Sequence, residues 1–243
     1  MPHHVEHDSE GLPIPNRIKA KPVKRPGQIV AAIIVVIFAA MIVKGLITNP
    51  RFEWNVVWKY LFNERVLEGV GYTLLLTVIS MVVAIVLAVV LAVMRKSVNP
   101  VLRGVSWFYI WFFRGTPVYT QLVFWGLFAV LIPRLSLGIP LTSVEFWSID
   151  SQAIITAFNA AWIGLALNEA AYLAEIVRAG LDAVDPGQEE AAKALGMKRS
   201  MIMRRVILPQ AMRIIIPPTG NETIGMLKTT SLVLAVPFTL DLQ

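Results

Sequence analysis

The sequence predicts an all-α, polytopic bundle of membrane-spanning helices, and three observations carry the prediction. The first is composition. Of 243 residues, 56% are hydrophobic and 16% charged, and the mean hydropathy is +0.64. A soluble domain of this size carries roughly 25% charged residues. The second is arrangement: the apolar residues fall in blocks of about twenty, the length that crosses a bilayer as a helix. The third is the distribution of Lys and Arg. The N-terminal tail has five (Arg17, Lys19, Lys21, Lys24, Arg25). Three more (Arg95, Lys96, Arg103) follow the second block, and six (Arg178, Lys193, Lys198, Arg199, Arg204, Arg205) follow the fourth. The alternate connections hold only Arg51, Lys59, Arg65 and Arg134. The richer side faces the cytoplasm, so the N-terminus is expected inside.

These observations argue against a soluble enzyme and against a disordered chain. With no cysteine, a disulfide scaffold is excluded. The formal charge of +6 belongs to loops on one side of a membrane, and no nucleic-acid partner is expected. The first apolar block starts near Gln28, after a long polar stretch and with no cleavage site behind it, so no signal peptide is expected. Residues 1–27 read as a disordered basic tail. His3, His4 and His7 lie in that tail without supporting ligands, so no metal site is assigned to them. Residues 28–66 read as an extra span with an outer loop, and residues 67–243 as the main transmembrane domain.

About five spans are expected. The first covers 29–47, with Lys44 snorkelling near its end. The second covers about 71–94 and stops at Arg95-Lys96. A third region, 101–132, is interrupted by Arg114-Gly115-Thr116-Pro117, which suggests an interfacial helix followed by a spanning one. The fourth runs over about 153–177. A fifth starts near Ile207 and carries Pro209, Pro217, Pro218 and Gly220, so a kinked or broken helix is expected. Residues 229–243 are too short and too polar at their end for another. Trp54, Trp58, Tyr60 and Trp147 suit an aromatic belt on the outer side.

Residues 180–206 form the longest cytoplasmic connection. Within it Asp185 suits an N-cap, Pro186 the first helical position and Gln188 a capping box. Glu189 and Glu190 complement the helix dipole, and Gly196 suits the position just past the helix end. A rigid helix of about ten residues, some 15 Å long, follows. Tied at both ends to spans, it is suited to exchanging force with a soluble partner.

Glu190-Ala191-Ala192, Gly196 and Val206-x-Leu208-Pro209 resemble the EAA signature of importer permeases of the ATP-binding-cassette (ABC) superfamily, with Val206 where the family has Ile. Other stretches are similar to elements of the polar amino-acid branch. They are Arg114-Gly115-Thr116-Pro117 with Gln121-Leu122, the run 169–180 beginning Glu169-Ala170-Ala171-Tyr172, and Pro209-Gln210-Ala211-Met212-Arg213. Pro217-Pro218-x-Gly220-Asn221-Glu222 and Lys228-Thr229-Thr230-Ser231-Leu232 complete the set. The resemblance covers about residues 69–233.

The resemblance implies a subunit of the prokaryotic cytoplasmic (inner) membrane that pairs with a second permease, the same or homologous. A pair of ATPase subunits lies below and an extracytoplasmic solute-binding protein above. It makes Glu190, Ala191, Ala192 and Gly196 the ATPase-coupling residues. The family continues with another span, so the chain, ending at Gln243, is expected to lack its last one. No Gly-x₄-Gly-Lys-Ser/Thr loop and no Ser/His/Asp arrangement occurs. The chain is therefore expected to be no enzyme and to carry no cofactor, ATP and Mg²⁺ being held by the partner ATPase.

Ionisable groups at membrane depth are costly unless paired or wet, and so mark function. Asn168, Glu169 and Tyr172 in the fourth span, with Asn221 and Glu222 beyond the Pro217-Pro218-Gly220 break, are the candidate solute-pathway residues. A Glu222–Lys228 ion pair is the structural alternative. Glu175 and Arg178 read as structural, and Arg114 as a donor to carbonyls at the break beside Pro117. The sequence thus predicts alternating-access import of a polar or charged amino acid driven by a separate ATPase. An ion-coupled secondary transporter using Glu169 or Glu222, an ABC permease for another small solute, and a membrane-anchored product that only docks are the alternatives.

Overall fold

The computed structural model describes residues 26–138 and 145–236. The histidine-bearing tail lies outside them. The chain divides into two compact units, residues 1–60 and 61–243.

In the first unit α1 (Pro26–Thr48) is apolar on all sides between Gln28 and Lys44 and exposed on every face, as a helix solvated by lipid must be. It begins within the stretch expected to be tail, since Pro26 is suited to a first helical turn. Asn49 accepts the Arg51 N–H at 3.0 Å and caps a short 3₁₀ turn, Pro50–Phe52. Glu53 then turns through a left-handed φ of 43° into α2 (Trp54–Leu61). The Trp54 indole donates to Leu46 O at 2.8 Å, fastening this turn to the end of α1.

In the second unit α3 (Glu64–Arg95) and α7 (Ala157–Asp182) form the most extensive helix contact. Buried Thr77, Ser80, Met81, Ala84, Ala88 and Leu91 form one stripe of α3, spaced at three and four residues. On α7, Ala160, Ala161, Ala170 and Ala174 are buried in the same core. Small side chains let backbones approach closely, which is how helices gain packing energy where lipid is as apolar as the protein.

The 101–132 region divides as expected, into α4 (Pro100–Gly115) and α5 (Val118–Leu131). Ser106 donates to Leu91 O and Tyr109 to Leu167 O, each at 2.8 Å, pinning α4 to α3 and α7. Gly164 admits α5 against α7: a Cβ there would meet Leu122 Cδ2 at 2.9 Å.

Between α5 and α7 stands an antiparallel hairpin that the all-helical expectation omitted, β1 (Arg134–Gly138) with β2 (Glu145–Asp150), followed by the short α6 (Ser151–Ile154). Its register puts Leu135 opposite Ile149 and Leu137 opposite Trp147, an apolar face whose two-residue period is that of a strand.

After α7 come α8 (Pro186–Ala194), α9 (Arg199–Ile202), a π-helical turn (Met203–Ile207), α10 (Leu208–Thr229) and a 3₁₀ turn (Thr230–Ala235). Of the kinked or broken helix expected at Pro217 and Pro218, the break is absent: α10 runs through both. The irregularity lies earlier, at the π-turn before Pro209. Among the described residues three helices (α1, α3 and α7) are long and apolar enough to cross a membrane, and α5 is a shorter apolar helix.

Candidate functional site

Two features stand apart from the packed helices. One is a cavity of about 500 Å³ bordered by the α4–α5 break, the middle of α7 and the later part of α10. The other is the capped helix α8.

The cavity owes its shape to the break. Pro117 has no N–H, so carbonyls at the end of α4 lose helical donors. The Gln121 amide replaces them, donating to Phe113 O at 3.0 Å, Thr116 O at 3.1 Å and Thr116 Oγ1 at 2.7 Å. Asn168 adds a second donor to Phe113 O at 3.0 Å and meets Gln121 Oε1 at 3.2 Å. The break is therefore held by these two amides, and it leaves Arg114, Gly115 and Thr116 on the cavity wall. The guanidinium of Arg114 lies over the Tyr172 ring, 5.3 Å from its centroid, rather than on the carbonyls it was expected to serve.

Glu169 and Glu222 line the same cavity. Glu169 is 7% exposed and sits twelve residues into α7, about 18 Å from its start. Its Oε1 is buried without a hydrogen-bond partner.

Of the five residues proposed from the sequence, the structure gathers Asn168, Glu169, Tyr172 and Glu222 around the cavity, with Asn168 committed to the break. Asn221 is exposed and is not on the wall, because neighbouring residues of an unbroken helix point about 100° apart. No ion pair joins Glu222 to Lys228. Glu175 and Arg178 do pair, at 2.7 Å, and Arg178 also holds Asp182 at 2.9 Å. Asp182 in turn accepts from Lys96 at 2.7 Å, which ties the ends of α3 and α7. The cavity-facing place of Arg114 and the bonding of Gln121 were not legible in the sequence beyond their occurrence in a motif.

Asp185 caps α8 by accepting the Gly187 N–H at 2.7 Å. The Gln188 side chain does not close a capping box; its Oε1 turns instead to the Gln210 amide at 3.4 Å. At the other end Gly196 adopts φ +73°. The Gly196 N–H reaches Lys193 O at 2.9 Å and the Met197 N–H reaches Ala192 O at 3.1 Å. This is the paired bonding of a Schellman cap. Glu189 pairs with Lys193 at 2.8 Å, and that hydrogen bond holds its carboxyl below the usual range. Glu190, Ala191 and Gly196 are exposed and Ala192 is buried against the chain.

Residues 84–237 match the family model of the binding-protein-dependent transport system inner membrane component. The chain belongs to this family. The permease is 53% identical over 229 residues to the arginine transport system permease protein ArgU of Corynebacterium glutamicum, covering 94% of this chain and 70% of that one. It is 40% identical over 182 residues to the probable amino-acid permease protein YxeN of Bacillus subtilis, covering 73% of each. It is similar in structure to an amino acid ABC transporter solved with histidines, with a TM-score of 0.59 and 36% identity over 75% of this chain and 76% of that one. The ABC-importer resemblance of its motifs is thereby established, and the permease is a multi-pass inner-membrane component.

Proposed function

We propose that this permease forms the membrane path of an ATP-driven importer for amino acids with a cationic side chain. One observation carries the solute class: a buried, unpartnered carboxylate, Glu169, opens onto a cavity lined also by Glu222 and by one guanidinium, Arg114. A buried carboxylate oxygen without a donor is costly. A solute with an ammonium and a guanidinium, or two ammoniums, supplies donors to both carboxylates, and its own carboxylate matches Arg114. A neutral or acidic amino acid leaves one Glu uncompensated. The arginine permease among the relatives supports the same class.

Glu169 stands midway along α7, the depth at which transporters bind solute between halves of a bundle. The excess of Lys and Arg around α8 supports a cytoplasmic side for that helix, shared with the N-terminus. There Glu190, Ala191 and Gly196 form the surface for a pair of ATPase subunits that bind ATP and Mg²⁺, while Ala192, expected to belong to it, packs beneath against the chain. A second permease and an extracytoplasmic solute-binding protein complete the assembly. Closure of the ATPases on ATP moves α8 and alternates access to the cavity.

The test is uptake into proteoliposomes holding the permease with its ATPase and binding protein. Labelled arginine should enter only with ATP. Permease Glu169→Gln should lower arginine uptake at least about tenfold, the worth of one charge-assisted hydrogen bond, while ATPase binding is retained. Uptake driven by an ion gradient without the ATPase would overturn the ATP-driven reading. Undiminished arginine uptake by Glu169→Gln would overturn the assignment of the cavity.

A further inference from the structure

The element Pro209-Gln210-Ala211 plays no part in the cavity or in the exposed face of α8. Pro209 cannot donate to the carbonyl of Arg205, four residues earlier, and the helix widens there into the π-turn Met203–Ile207, with the Leu208 N–H reaching Met203 O. π-turns inside helices recur where function demands an irregularity. The side chain of Gln210 lies beside this irregularity. Its Nε2 donates to Val206 O inside the π-turn at 3.0 Å and to Gln188 Oε1 in the first turn of α8 at 3.4 Å. Gln188 and Gln210 are 22 positions apart, and everything between them is α8, its Schellman cap, α9 and the π-turn. One amide therefore links the first turn of α8 to the start of α10, beside the packing of α8 on the π-turn.

We infer that Gln210 is the positioning residue that makes α8 and α10 move as one body. The far end of that body carries Glu222, twelve residues beyond Gln210 and so about 18 Å along the helix. Glu169 stands on the other body, α7 packed against α3. The two bodies meet closely at Gly180, where a Cβ would collide with Ile215 and come within 3.4 Å of Ala211 O. A displacement of α8 thus swings α10 past this crossing and changes the separation of Glu222 from Glu169. Without the Gln210 bond, α8 moves against a soft π-turn and its displacement is lost before it reaches the cavity. This inference rests on the proposed docking of an ATPase at α8.

The experiment compares Gln210→Met, Gln188→Met and the double variant, purified with the ATPase and reconstituted with the binding protein. It measures ATPase retained, ATP hydrolysed and solute taken up. Each single variant should keep the ATPase and hydrolyse ATP, while solute moved per ATP falls about fivefold, the worth of one net hydrogen bond. The double variant should be no worse than the poorer single one, because both lose the same interaction. Gln188 is exposed, so its variant separates loss of the link from misfolding. Unchanged solute per ATP in both single variants overturns the inference, as do losses that multiply in the double. Glu190→Lys serves as the control. If it retains the ATPase as wild type does, the docking reading itself fails, whereas a lost ATPase there with unaffected Gln variants overturns the Gln210 inference alone.

Discussion

Gln121 shows how one side chain decides the shape of the cavity wall. Its amide serves two carbonyls and a hydroxyl at the α4–α5 break, in a site only 6% exposed. Leu fills the same space without a donor, and leaving buried carbonyls unpaired costs about 1–3 kcal/mol. Gln121→Leu should therefore lower the thermal midpoint of the detergent-purified permease by several degrees, whereas Gln121→Glu, which removes the donor but keeps the polarity, should do at least as much harm. A midpoint unchanged by Leu would mean that Asn168 alone satisfies the break. Arg114 and Tyr172 belong at this scale too: the guanidinium rests on a ring face, held in place without using up its donors.

Among the elements, α8 is set almost wholly by its own sequence. Asp185, Pro186 and Gly196 each take the role that their chemistry suggests, and the left-handed φ of +73° at Gly196 requires a residue without a Cβ penalty. A Cβ there meets nothing within 4 Å, so the cost of substitution is conformational alone, about 1–2 kcal/mol for Ala. Asn tolerates that region better. Gly196→Ala should speed amide exchange at Gly196 and Met197, whose N–H groups close the cap, by about fivefold or more, and Gly196→Asn by less. Equal effects of Ala and Asn would show that backbone strain is not what the glycine relieves. α10 teaches the opposite lesson. Its prolines at 217 and 218 suggested a break, yet the helix is continuous, packed against α7 and α3. Local propensity yields where tertiary neighbours support the backbone.

For the molecule as a whole, α7 separates two surfaces. The β1–β2 hairpin precedes it and α8 follows it, and 26 residues of helix amount to about 39 Å, enough to cross a bilayer. The chain has no cysteine, so single-cysteine labelling is free of background. Leu137, 67% exposed in the hairpin, and Leu195, 82% exposed beside α8, suit the purpose. A membrane-impermeant maleimide should label Leu137→Cys on intact cells and Leu195→Cys only after permeabilisation. The reverse pattern would invert the orientation drawn from the positive-inside count.

The apolar blocks and the basic asymmetry identified a membrane bundle, and short-range signals placed most helices within a few residues. Asp185 caps α8 by accepting an N–H two residues on, as its sequence suggested; Asn63 and Asn99 do the same for α3 and α4, two caps that went unread in the sequence. Such interactions need only neighbours along the chain, so they are legible from a string of residues. The cavity was partly legible: Asn168, Glu169, Tyr172 and Glu222 were marked by being polar at membrane depth, a criterion that also admitted Asn221. Only packing separated Asn221 from Glu222, because the direction of a side chain depends on whether the helix breaks. The same holds for Arg114 over Tyr172, for Gln121 with Asn168, and for Gln188 with Gln210. Each joins residues brought together by helix crossings, and no spacing in the sequence announces a partner whose position the bilayer and the other helices determine.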